Sequence, residues 1–217
     1  MLNDRMPDAV EATRRGGRRL LFPCGILLLL LCGVTSRAGD AAAVAAAGSS
    51  QEPGARLNLR PILAGKYEVT LPDGAKIRFA DLPGLSTKDA GKPVLIDFWA
   101  TWCAACVADI RHLTAIHEKY KTEGLVVIGL TTEKYAEAIT EVKTFAAKYG
   151  VQYQLAFAPE ALFRAFHGPG ARNVIPQKYI FDADGVLVRR IVGFKAGITP
   201  RLLDETVRMA LEKSPAQ

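Results

Sequence analysis

The sequence predicts an α/β fold, a central mixed sheet flanked by helices, on three observations. Two uninterrupted apolar runs, residues 94–99 and 125–131, enclose a stretch in which Val107, Ile110, Leu113, Ile116 and Tyr120 recur at helical spacing, the pattern of buried strands joined by a helix. Two Asp-Gly dipeptides, Asp73-Gly74 and Asp184-Gly185, each divide strand-like runs and predict antiparallel hairpins. At 217 residues, 49% hydrophobic and 23% charged, the chain is long enough for one full core plus additional segments.

The chain opens with an address. Arg14, Arg15, Arg18 and Arg19 precede an apolar stretch from Leu20 to Val34, followed by Ser36-Arg37-Ala38 and an alanine-rich run, the layout of a bacterial export signal. Fifteen apolar residues interrupted by Pro23 and Gly25 fall short of the ~20 that span a bilayer. Residues 1–38 are therefore expected to be a cleaved signal peptide or, in the alternative, a retained N-terminal membrane anchor; either places the protein in the periplasm or another extracytoplasmic space. Cys32 follows Leu31 where a lipobox needs a small residue, and the arginine pairs match a twin-arginine signal only loosely. Residues 39–56, rich in Ala, Gly, Ser, Gln and Pro, read as a flexible linker.

The folded domain is expected over residues 57–217. "KYEVTLPDGAKIRFADLPG" alternates around Asp73-Gly74 as a hairpin that leads into the 94–99 strand. Gly124 stops the following helix, "LVVIGLT" forms the second buried strand, and "EKYAEAITEVKTFAAKYG" is a second helix ending at Gly150. A short strand over 153–157, a helical turn over 160–166 and a Gly-Pro-Gly loop at 168–170 come next. "QKYIFDADGVLVRRIVGF" is a hairpin turning at Asp184-Gly185, and Thr199-Pro200 opens a C-terminal helix. The order is βαβ, then αβ, then ββα.

Composition narrows the chemistry. Of the formal charge of +6, three units belong to residues 1–38, where six Arg stand against Asp4, Asp8 and Glu11; the remaining +3 is no nucleic-acid footprint. Of four cysteines, Cys24 and Cys32 lie in the export segment, leaving Cys103 and Cys106 for the folded part. A Cys-x-x-Cys pair is also half of a zinc site, but His112, His117 and His167 supply no second pair at ligand spacing, so no metal is assigned. Cys103, at the start of a helix, meets unpaired backbone N–H groups and the positive end of the helix dipole, both of which favour a thiolate. Asp97 is an acid inside a buried strand, costly unless paired, neutralised or functional.

"DFWATWCAAC", followed some seventy residues later by "NVIPQKYIFDADG", resembles the thioredoxin superfamily and, more narrowly, its TlpA/ResA-like exported thiol-disulfide oxidoreductases. The resemblance covers residues 57–213 and implies a thioredoxin-like fold with an N-terminal β-hairpin extension and a central αβ insertion. It implies a redox-active disulfide in which Cys103 is the exposed nucleophile and Cys106 the resolving thiol. Asp97 would be the buried proton acceptor of Cys106, its pKa raised, with an edge position in water as the alternative. Asp109, one helical turn after Cys106, stands where relatives often carry Glu; it would face the thiols and keep some water, or simply be a solvated helix residue. Trp102 would cap the reactive sulfur, Phe98 and Trp99 would be core and cleft wall, and a cis Ile175–Pro176 bond would present Ile175 backbone groups to an extended client. Ala104-Ala105 lacks the proline that many relatives place before the second cysteine, and this dipeptide tunes the potential.

Three functions follow as expectations. The first is an exported dithiol reductase without cofactor, monomeric, re-reduced by a membrane electron donor and passing electrons to client protein disulfides, for example in cytochrome c maturation or copper-site assembly. The second is a Cu(I) metallochaperone, although relatives of that kind resemble CxxxC with a distal His. The third is a general dithiol oxidant.

Overall fold

Seven strands form one mixed sheet in a computed structural model of the protein, which describes residues 57–168 and 173–213. The export segment, the linker, Pro169 and Gly170 of the predicted loop, and residues 214–217 lie outside those residues. Across the sheet the order is β2 (Lys76–Arg78), β1 (Glu68–Thr70), β5 (Gln154–Phe157), β4 (Val126–Thr131), β3 (Val94–Trp99), β6 (Gln177–Phe181) and β7 (Leu187–Val192). Strands β3, β4 and β5 run parallel, whereas β6 and β7 on one side and β1 and β2 on the other are antiparallel to their neighbours. The expected thioredoxin-like arrangement is present, with the β1–β2 hairpin as the N-terminal extension. The αβ insertion is α3 (Tyr135–Tyr149) with β5, and α4 (Glu160–His167) follows it on the opposite face of the sheet.

All six residues of β3 are buried, which is why its sequence does not alternate. Its side chains divide between two cores. Leu95 and Trp99 join one under α2 (Ala104–Tyr120), α3 and α5 (Thr199–Glu212), while Val94, Ile96 and Phe98 join the other under α4 and α1 (Leu59–Ala64). In the second core Phe98 meets Phe163 at 4.7 Å, Phe166 at 5.1 Å and Tyr179 at 6.1 Å in tilted or edge-on geometry, which adds about 0.5–1.5 kcal/mol per pair to their area burial. By the same alternation Asp97 points toward α2.

Helix α2 carries its buried residues as one stripe: Cys106, Asp109, Ile110, Leu113, Ile116 and Tyr120. A turn of 3₁₀ helix and Gly124, at φ 93°, end it where the sequence places the stop. Gly150, at φ 61°, ends α3 in the same way. Helix α1 was not anticipated. Asn58 caps it by accepting from the Arg60 N–H at 2.8 Å, and Leu59 and Ile62, one turn apart, are buried. The segment before α1 also lies on the β6–β7 hairpin, with Leu59 N–H donating to the Gly185 carbonyl and Leu187 N–H to that of Leu57. Among the described residues no helix is long and apolar enough to cross a membrane.

Both outer strands carry exposed basic residues. β2 exposes Lys76 and Arg78 in a span of three residues, and β7 exposes Arg189 and Val192. β1 meets β5 through a single pair, Thr70 with Phe157.

Candidate active site

Strand β3 ends at Trp99, and the chain turns through Ala100, Thr101 and Trp102 into α2, with Cys103 as its N-cap. A helix start leaves N–H groups without intrahelical partners, and here the Cys103 Sγ accepts one of them, from Cys106, at 3.2 Å. Cys103 and Cys106 are joined by a disulfide with their Cα atoms 5.2 Å apart. Cys103 is the more open of the two, at 7% exposure against 3%, but this corrects the expectation of an exposed nucleophile. The physical reason is packing: in the oxidised state both sulfurs belong to the core beneath α2. Trp102 stands 72% exposed beside them, and Phe98 and Trp99 are both fully in the core.

The turn before the cysteines is held by Glu133, a residue that sequence reasoning missed. Its Oε2 accepts from the Thr101 N–H and from the Thr131 hydroxyl, each at 2.8 Å, and its Oε1 accepts from the Thr101 hydroxyl at 2.6 Å. The Thr132 N–H donates to the Trp99 carbonyl at 3.0 Å. An acid two residues after the apolar run of β4 was the available signal.

The Ile175–Pro176 peptide is cis. Gly193 N–H donates to the Pro176 carbonyl at 2.8 Å, tying the segment to the end of β7. The buried Gln177 donates to the Val174 carbonyl and accepts from the Tyr179 hydroxyl at 2.7 Å and from Arg190 at 2.7 Å. Ile175 is half-buried and packs on both cores.

On the α2 side the sheet register sets Leu155, Gly129, Asp97, Lys178 and Ile191 in one row across β5, β4, β3, β6 and β7. Asp97 is buried, not at an edge, and its Oδ1 lies 3.4 Å from the Lys178 Nζ. Asp109, reaching down from α2, pairs with the same ammonium through its Oδ2. Asp109 is fully buried, which corrects both the expectation that it keeps water and the alternative of a solvated helix residue. It shares the stripe of Ile110 and Leu113, and the long Lys178 side chain meets the short aspartate. Burial pushes the Asp97 carboxyl up to about 6; Lys178 opposes the shift and the Asp109 carboxylate adds to it. Burial alone would lower the Lys178 ammonium, but the two carboxylates hold it above its ordinary value. Tyr153, nearby, is raised well above its ordinary range by burial and by the same two acids.

Lys178 is the second residue that sequence reading missed. It alternates with Ile180 in "QKYIF", on the face where a buried acid in the neighbouring strand needs a cation. Gly129 makes room in the row: a Cβ there would stand 2.6 Å from Leu155, 3.1 Å from Tyr153 and 3.2 Å from the Trp99 indole nitrogen.

The three histidines are half-buried. His112 stacks on Phe194, His117 meets Tyr153 edge-on, and His167 contacts the Phe163 carbonyl and Asn173. Among the described residues no three His, Cys, Asp or Glu side chains are grouped to hold a metal ion.

Residues 64–190 match the AhpC/TSA family. The chain is 30% identical over 130 residues to the thiol-disulfide oxidoreductase ResA of Bacillus thuringiensis (strain Al Hakam), covering 60% of this chain and 68% of that protein. It is 28% identical over 179 residues to a ResA of Bacillus cereus, covering 81% and 88%. A thiol:disulfide interchange protein of the thioredoxin family from Chlorobium tepidum TLS superposes with a TM-score of 0.53 at 26% identity, covering 66% of this chain and 92% of that one. A secreted Mycobacterium tuberculosis disulfide oxidoreductase shares the fold, at 20% identity, 69% and 98% coverage and a TM-score of 0.53.

Proposed function

Because the chain belongs to the AhpC/TSA family and is a thiol-disulfide oxidoreductase, we propose that it works outside the cytoplasm as a monomeric reductase of client protein disulfides. The observation that carries this reading is the Cys103–Cys106 disulfide at the start of α2, with the Cys103 sulfur already accepting a helix N–H. The arginine-flanked apolar segment of residues 1–38 supports export, as signal peptide or anchor, and the secreted Mycobacterium tuberculosis neighbour is consistent with it.

In the reduced protein the Cys103 thiolate attacks a client disulfide, forms a mixed disulfide and releases the first client sulfur as a thiolate that takes up a proton. Cys106 then passes its proton to Asp97 and attacks the Cys103 sulfur. The Cys103–Cys106 bond forms, the bond from Cys103 to the client breaks, and the second client sulfur leaves and is protonated. The client gains two electrons and the chain loses two. A two-electron dithiol donor at the membrane restores the pair. Trp102, Ile175 and Pro176 border the route to the sulfurs, Ile175 through backbone groups that can pair with an extended client. Apocytochrome c and copper-site proteins, whose cysteines must be reduced before they are loaded, are the client classes that fit.

Cys103→Ser should abolish disulfide reduction, and Cys106→Ser should accumulate mixed disulfides with clients. Limiting alkylation of the reduced protein should label Cys103 first; labelling of Cys106 first would reverse the assignment. The equilibrium potential tests direction: a value below about −200 mV supports a reductant, and one near the −120 mV or so of a strong oxidant overturns it. A Cu(I) titration that saturates at the two thiolates with higher preference than disulfide exchange would favour the metallochaperone instead.

A further inference from the structure

We propose that Lys178 is a positioning residue of the redox reaction, holding Asp97 and Asp109 together as one buried charge cluster so that Cys106 can give up its proton at neutral pH. The inference rests on the oxidoreductase reading, with Asp97 as proton acceptor. Two strands and one helix build the cluster. Asp97 comes from the middle of β3, Lys178 from the register partner on β6, and Asp109 from α2 one turn beyond Cys106. Gly129 on β4, the other register partner of Asp97, contributes no side chain.

All three charged side chains are shut off from solvent, at 0–2% exposure. Two carboxylates in one dry pocket cannot both ionise without a cation, because each disfavours the other's charge and burial disfavours both. Lys178 supplies the cation, and its long stem lets it reach both acids from a strand that neither occupies. Asp109 meets the ammonium from α2, one turn beyond Cys106. Asp97, at 3.4 Å from the same ammonium, is the acid placed to take a proton and return it.

Among the described residues, the charged groups that shift Asp97 and Lys178 are each other and Asp109. β7 places Ile191 beside Lys178, and α5 buries Leu203, Thr206, Val207 and Ala210. The remaining titratable neighbours are Tyr153, which feels both acids, His117 against the Tyr153 ring, and the reduced dithiol itself. Burial and the two acids hold Tyr153 in its neutral form, and burial lowers the His117 imidazole below its ordinary value.

The resolving step can be read directly by loading Cys103 with 5-thio-2-nitrobenzoate and following release of that thiolate as Cys106 attacks, from pH 5.5 to 9.5. Lys178→Met keeps the volume and removes the charge. Its profile should move alkaline by one to two pH units, a loss of about tenfold in rate at pH 7 that is recovered by pH 9. The double variant Lys178→Met with Asp109→Asn removes the competing acid as well, and its profile should fall between the two. A Lys178→Met profile that superimposes on the parent, or that drops by the same factor at every pH, overturns the proposal, since a merely structural lysine predicts the latter.

The unsubstituted protein gives a second test that does not depend on the variants folding. The ¹⁵Nζ resonance of Lys178 in the reduced protein should stay that of an ammonium through pH 10, and deprotonation between pH 6 and 9 overturns the proposal. The two readings fail separately. If the parent protein releases no thiolate and reduces no disulfide, the oxidoreductase reading falls and this inference with it; an active parent with an unshifted Lys178→Met leaves that reading standing.

Discussion

Replacing Asp97 by Asn should make the protein more stable, and by an amount that depends on pH. The Asp97 carboxyl is raised from its ordinary 3.8 to about 6, mainly by burial. The native state therefore holds the proton more tightly than the unfolded chain does. Below pH 3.8 both states are protonated and the group costs nothing. Between there and pH 6 the unfolded chain ionises while the native protein does not, so stability falls as pH rises; above pH 6 the loss is complete and constant. Two units at 1.36 kcal/mol each set that loss at about 3 kcal/mol. Asn is neutral throughout and has nearly the shape of the protonated acid, so Asp97→Asn should match the parent near pH 3.5 and exceed it by about 3 kcal/mol at pH 7.5. Lys178 keeps its Asp109 partner in the variant, which is why removing this acid strands no cation. Urea melts of the oxidised protein, in which the cysteines do not titrate, measure the difference. For a slope of about 2 kcal/mol/M the midpoint should move by about 1.5 M at pH 7.5. A variant gain that is equal at pH 4 and pH 7.5 refutes the linkage, and a variant less stable at pH 7.5 shows Asp97 to be a satisfied structural group. The same substitution should slow resolution by Cys106.

Asp109→Asn should act in the opposite sense, destabilising by about 2 kcal/mol because Lys178 loses its close charged partner inside the core; it should also lower the pH at which Asp97 titrates, which carboxyl ¹³C shifts would follow. Glu133→Gln removes the charged acceptor from three donors around the cysteine turn, so melts should show a loss of about 1–3 kcal/mol, and the Thr101 amide proton should shift upfield. Gly129→Ala forces a methyl within 2.6 Å of Leu155 and should cost about 1–3 kcal/mol of overpacking in denaturant melts.

The periodic parts of the chain were legible because each obeys one dominant rule. β3 and β4 are buried on both faces and read as unbroken apolar runs, α2 shows its stripe, and Asp73-Gly74 and Asp184-Gly185 turn the two hairpins as expected. Cys103 and Cys106 stood out by their spacing after a buried strand, whereas the cis bond before Pro176 came only from the family resemblance. Helix α1 escaped notice because six residues offer a single apolar repeat, Leu59 and Ile62, and its strongest signals were the Asn58 cap and Gly65. Asp109 was misjudged because an acid on a helix is usually wet, although its place in the stripe with Ile110 and Leu113 already put it inside. Lys178 and Glu133 were invisible for a deeper reason. Each is defined by a partner distant in sequence, and only strand register brings Lys178 beside Asp97 or the end of β4 against the cysteine turn.

The open edges of the sheet bear on a hazard that the proposed function would bring, contact with client chains whose backbone is unpaired. An exposed strand edge is a template, and a client with unpaired backbone could add to it and seed aggregation. Here one outer strand is three residues long with Lys76 and Arg78 facing out, and the other carries Arg189 and Arg190. A segment adding to the β2 edge finds only three residues to pair with, and one adding along β7 must pass the exposed Arg189. On the function proposed above, the Ile175 backbone beside the cysteines is the stretch an extended client would use, and its stay there would end with the chemistry.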